Sequence, residues 1–125
     1  MHLTLFLAFS CWTATVATAS GAEILTGEAL RSAVVDKTVF VDTPIGAVPI
    51  SFKGDGSMSG RSRALAAYAM ATTDRGRWWI AGNRLCKRWD TWFEKSTHCY
   101  AMRREGQTLH WSRSDGHVGT ARLSR

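Results

Sequence analysis

The chain predicts a mainly β domain, a small antiparallel meander closing into a barrel, with one short N-terminal helix and one disulfide. Three observations predict it. Turn dipeptides recur at short intervals, at Asp55-Gly56, Gly82-Asn83, Glu105-Gly106 and Asp115-Gly116, and each offers residues that tolerate positive φ. The segments beside them alternate, as Val48, Ile50 and Phe52 do with Pro49, Ser51 and Lys53. Cys86 and Cys99 lie on neighbouring segments of this kind.

The domain is expected to follow a leader. Residues 1–22 contain no Lys, Arg, Asp or Glu, and Leu3 to Val16 is a mostly apolar run too short to span a bilayer as a helix. This reads as a signal peptide, with cleavage after Ala19 (Ala17-Thr18-Ala19 is small-x-small) or after Ala22. Cleavage removes Cys11 and leaves Cys86 and Cys99 as a pair, for which a disulfide is the default in an exported compartment. Residues 23–125 suffice for a single domain with a single core. All 16 basic and 10 acidic residues fall within it, so the net charge of +6 belongs to the domain itself.

Thr26 is placed to N-cap a helix running to about Asp36, with Leu25 and Leu30 positioned as a hydrophobic staple. The period then changes to alternation. Thr38 to Asp42 is β-branched and aromatic, Thr43-Pro44-Ile45-Gly46 suits a type I turn, and Val48 to Phe52 is a half-buried strand. Pro49 cannot donate to a ladder, which predicts an edge position for that strand. Ala64 to Thr72 fits a short helix and a strand equally. Further strands are expected over Arg77–Ala81, Arg84–Trp92, Thr97–Arg104, Gln107–Arg113 and His117–Leu123. About eight strands joined by tight turns close into a small barrel without exposed edges. A two-sheet sandwich is the alternative.

If Cys86 and Cys99 face each other across neighbouring strands, the connecting loop runs from about Asp90 to Lys95, and the spacing suits a non-hydrogen-bonded pair. Asp55-Gly56-Ser57, Gly76-Arg77-Trp78-Trp79-Ile80, Leu85-Cys86-Lys87-Arg88-Trp89, Cys99-Tyr100 and Asp115-Gly116 together resemble a pattern of small exported alphaproteobacterial proteins, mostly of unknown function. The resemblance covers most of the mature chain. It implies a lipocalin-like β-barrel and carries over no catalytic residues. The chain departs from the pattern in its insertion around Ala64 to Thr72 and in the extra aromatics Trp79 and Trp92.

No residue set predicts catalysis. Asp55, Asp74 and Asp115 sit at or beside turn glycines, where side-chain bonds to backbone account for them. Gly54-x-Gly56 with Gly60 matches no phosphate-loop or nucleophile motif. His98, His110 and His117 match no metal-ligand spacing, so neither metal nor cofactor is expected. The feature with functional promise is a basic, aromatic surface: Arg84, Lys87, Arg88, Trp92 and Phe93 as candidate binding residues, with Arg75, Arg77, Arg103 and Arg104 nearby. Trp78 and Trp89 occupy framework positions of the pattern and are expected to be buried. Trp79, Trp92 and Phe93 are expected at the surface.

The first functional expectation is therefore a non-catalytic exported protein, periplasmic ahead of secreted, whose Arg/Trp face meets an anionic glycan, lipid or other envelope component. The alternatives are a lipocalin-like carrier of a small apolar ligand, and an inhibitor of an exported enzyme. Nucleic acid is not the expected partner, and the oligomeric state is left open.

Overall fold

A computed structural model of the protein describes residues 8–14, 21–64 and 71–124. Among the described residues nine strands follow one another: β1 (Glu23–Leu25), β2 (Lys37–Thr43), β3 (Gly46–Phe52), β4 (Ser57–Arg61), β5 (Thr73–Ala81), β6 (Arg84–Trp89), β7 (Thr97–Glu105), β8 (Thr108–Arg113) and β9 (Val118–Leu123), with a helix α1 (Gly27–Val34) between the first two. From β2 onward every strand pairs antiparallel with the next, and β9 returns to pair with β2. The result is a closed eight-stranded up-and-down barrel, not a sandwich. β1 adds to β7 opposite Met102–Arg104, beyond Tyr100 where the β6 ladder ends.

Closure changes the meaning of Pro49. β3 lies between β2 and β4 and is not an edge strand, contrary to expectation. The β3–β4 register covers Ile50 to Phe52 and stops short of Pro49, so the absent N–H breaks no bond on that side. The expected strand through Trp92 also stops early. β6 ends at Trp89, and a 3-10 segment, Trp92–Lys95, follows. Residues 65–70 of the Ala64 to Thr72 insertion, and Ala19 of the leader, lie outside the described residues. The base of the insertion is closed by a bond from Ser62 N–H to the Thr72 carbonyl at 2.7 Å. Among the described residues no helix is long and apolar enough to cross a membrane.

α1 closes one end of the barrel. Leu30, Ala33 and Val34 are buried on its inner face, and it packs against β2, β5 and β6. Thr26 holds the cap position, yet its hydroxyl makes no capping bond; its carbonyl accepts the Leu30 N–H at 3.2 Å instead. The helix ends before the expected Asp36, which adopts φ 58° and donates its N–H to Phe52 O at 2.7 Å.

The core is built around tryptophan. Trp78 packs edge-on to Phe52 at 5.4 Å and donates Nε1–H to the Lys53 carbonyl at 2.9 Å. The rings of Trp89 and Trp92 pack tilted against each other, centroids 4.7 Å apart, over Gly60, where a Cβ would meet them at 2.7 and 2.8 Å. Two large rings thus occupy space that a side chain on β4 would claim. Gly60→Val is expected to cost about 1–3 kcal/mol by overpacking, measured as a lower urea midpoint at unchanged m-value. A midpoint equal to that of the wild type would show that the rings can move aside.

Candidate functional site

The inward residues of an alternating strand line the lumen, and in β6 that phase reads Leu85, Lys87, Trp89. The lumen holds a cavity of about 540 Å³ whose apolar wall includes Val39, Val48, Ile50, Leu85, Met102 and Trp111. Its size falls within the range of small-molecule sites, roughly 300–1,000 Å³. The helix end is shut by α1, and Val34 forms part of the floor. At the opposite end the β2–β3 and β8–β9 turns and the β6–β7 connection converge, presenting Ile45, Phe93 and Val118 as an exposed apolar rim.

The rim is held by polar contacts behind it. One carboxylate oxygen of Asp74 accepts the backbone N–H groups of Thr91 and Trp92 at 2.9 and 2.8 Å, and Trp92 Nε1–H donates to the Ala71 carbonyl at 3.1 Å. Phe93, Glu94 and Lys95 then follow with φ between 54° and 59°, a left-handed run of non-glycine residues. Such backbone is costly and persists where its surroundings over-determine it. Here it turns Phe93 outward directly after Trp92 has turned in.

A small polar group interrupts the apolar wall. The Lys87 ammonium lies 4.9 Å from the Tyr100 ring centroid and 5.9 Å from that of Trp89, and among the described residues it has no ion-pair or hydrogen-bond partner. Burial, with a smaller contribution from the Arg113 charge, lowers its pKa to about 8. Arg113 is differently placed, because Nε and Nη2 donate to the two oxygens of Asp115 at 2.8 and 2.6 Å. His117 Nδ1 lies 3.0 Å from both Arg113 Nη2 and Asp115 Oδ1. The Arg113 bonds hold the Asp115 carboxyl well below the ordinary carboxylate range. Burial raises the Tyr100 phenol and lowers His98, the residue directly opposite Lys87 on β7. The indole N–H groups of Trp89 and Trp111 are buried without acceptors among the described residues. Among the described residues the inner wall therefore carries donors without acceptors, while the carboxylate of the lining, Asp42, lies at the exposed rim.

The five expected binding residues do not form a single face. Lys87 points into the barrel, because it shares the apolar phase of β6 with Leu85 and Trp89. Trp92, expected at the surface, is 1% exposed; the Asp74 bonds fold its segment back over the barrel and Trp89 supplies a ring for it to pack against. Phe93 is half exposed at the rim, as expected. Arg84 and Arg88 are exposed on the outer wall, where Arg88 lies directly opposite Arg77 and Trp79 is partly exposed between β5 and β6. Trp78 and Trp89 are buried, as expected.

Cys86 and Cys99 form the disulfide, in register on β6 and β7 with Cα atoms 4.0 Å apart. Tyr100 and Arg113 were not among the expected site residues. Both fall on the inward phase, since Leu85, Tyr100 and Arg113 are consecutive cross-strand partners. That phase could have been read once the register set by the cysteines was taken across to β8. Asp55 accepts from Ser57 N–H and Oγ–H at 2.9 and 2.6 Å, the turn role expected of it. Among the described residues no three His, Cys, Asp or Glu side chains gather as a metal site. Comparison of the chain with protein-family models, with curated proteins and with solved structures finds no match.

Proposed function

We propose that this is an exported carrier or receptor for a small apolar ligand held in the barrel lumen. The observation that carries the reading is the cavity itself: about 540 Å³, walled by aliphatic and aromatic side chains, shut by α1 and rimmed by exposed Ile45, Phe93 and Val118. A closed barrel buries most of such a ligand's surface, and an apolar rim favours its entry from a membrane or another carrier. The Cys86–Cys99 disulfide supports an oxidising compartment, and with it export. The resemblance to lipocalin-like exported proteins agrees with this reading.

A second reading, binding of an anionic glycan or lipid headgroup, draws support from the outer wall. Arg77 and Arg88 face each other there beside Trp79, and among the described residues neither has an ion-pair partner. Like charges opposite one another on a sheet repel, which an anion would relieve.

Salt separates the two. A neutral apolar fluorophore such as N-phenylnaphthylamine is expected to bind and to raise the melting temperature equally at low salt and at about 1 M salt. Val48→Phe, which narrows the lumen, is expected to abolish that binding. Absence of fluorophore binding in the folded wild type would rule out the carrier reading, whereas association with anionic vesicles that collapses in salt would favour the outer wall.

A further inference from the structure

The lumen's polar group narrows the class of ligand, and the inference rests on the carrier reading above. We infer that the barrel takes a single-tailed amphiphile with a monoanionic carboxylate head, its tail against the apolar wall and its carboxylate on the Lys87 ammonium. Lys87 projects into the cavity with aromatic faces for neighbours and no carboxylate in contact among the described residues. Lys87 is half-buried, and a lysine drawn that far from water seldom lacks a partner, since the charged form loses part of its hydration. The other lumen cation, Arg113, is already offset by Asp115 through two bonds. Among the described residues the lumen thus offers one uncompensated cation, which matches a single negative charge. A dianionic phosphate would bring a second charge into the barrel with nothing to meet it.

The donor excess points the same way. Lys87, Tyr100 and Arg113 sit on adjacent strands along the inward phase, so a head at Lys87 lies beside other donors, while the Asp42 carboxylate lies out at the exposed rim and accepts from Thr120. An alcohol or ester oxygen would accept a hydrogen bond from the ammonium but leave its charge uncompensated. A carboxylate completes it with a charge-assisted hydrogen bond.

Groups facing Lys87 from the neighbouring strands leave its proton as the variable one in mild alkali. Burial keeps His98 neutral and Tyr100 protonated through that range. Arg113, Asp115 and His117 form their own cluster, and Asp42, at the rim, accepts from Thr120 Oγ1 at 2.8 Å. Acid binding must therefore weaken as Lys87 loses its proton above about pH 8, by close to tenfold per pH unit until the ligand-bound pKa is passed.

The test is displacement of N-phenylnaphthylamine by dodecanoate and by dodecanol, at about pH 7 and about pH 9.5. Dodecanoate is expected to bind about ten- to hundredfold tighter than dodecanol at the lower pH and to lose most of that advantage at the higher. Lys87→Met should erase the acid preference and its pH dependence while leaving dodecanol binding intact. Lys87→Arg should keep the preference and flatten the pH profile. Equal binding of acid and alcohol by the wild type, or a preference that survives Lys87→Met, overturns the inference while the carrier reading stands. Failure of both ligands and of the fluorophore overturns both.

Discussion

Replacing Lys87 with methionine is expected to stabilise the ligand-free protein by about 1–3 kcal/mol near neutral pH. Methionine is unbranched and of similar length, so the packing against Trp89 and Tyr100 is largely kept while the charge is removed. The lowering of the amine from 10.5 to about 8 sets an upper bound on the order of 3 kcal/mol for the penalty carried while Lys87 is protonated, and because the side chain is only partly buried the expected figure is lower. Attraction of the ammonium to the two rings opposes methionine's gain, because it vanishes with the charge. The sign with pH is fixed by the direction of the shift. Below the folded value both states hold the proton, and the penalty is complete. Between about 8 and 10.5 the folded amine has released its proton while the unfolded one keeps it, so stability rises with pH; above that window the penalty is gone. Urea unfolding of both proteins at about pH 7 and about pH 10 should show the difference between them shrinking toward zero. A Met variant less stable than the wild type at neutral pH would mean that the ammonium is satisfied where it stands.

A cation kept in an apolar lumen at the expense of stability is the kind of local inconsistency that marks function, since a core optimised for stability alone would exclude it. The sequence carries the same signal. Leu85-x-Lys87-x-Trp89 places Lys87 on the apolar phase of a strand, whereas Arg84 and Arg88, its neighbours in sequence, belong to the opposite face. Alternation separates them, because residues adjacent along a strand point to opposite sides.

The meander was legible for a different reason. Turns such as Gly82-Asn83 and Glu105-Gly106 carry their geometry in two residues, and where connections are that short consecutive strands must pair as neighbours; the longer β4–β5 and β6–β7 connections keep the same neighbour order. Closure required the β9–β2 pairing, which no local pattern announces, and it alone moved Pro49 from an edge to an interior strand. Trp92 failed for a related reason. Its burial depends on Asp74, distant in sequence, receiving two N–H groups from the turn, and no periodicity within the loop from Asp90 to Lys95 encodes that contact. β1 was missed because three residues beside a helix carry too little alternation to register.

Loss of the Cys86–Cys99 disulfide is expected to cost about 3 kcal/mol and to lower the melting temperature by more than about 10 °C. The cysteines are 13 residues apart, and opening that loop returns entropy to the unfolded chain. The folded state has independent means of holding the same strands, since β6 and β7 are paired at Leu85 with Tyr100, Lys87 with His98 and Arg88 with Thr97. The effect should therefore fall on stability and leave the lumen unchanged. Below its melt, a Cys86→Ala/Cys99→Ala variant should bind N-phenylnaphthylamine as the wild type does, while calorimetry records the lower transition. An unchanged melt would contradict the staple. Weakened binding in the still-folded variant would mean instead that the disulfide sets the spacing of Lys87 and Tyr100 across β6 and β7, making it part of the site and not only of the scaffold.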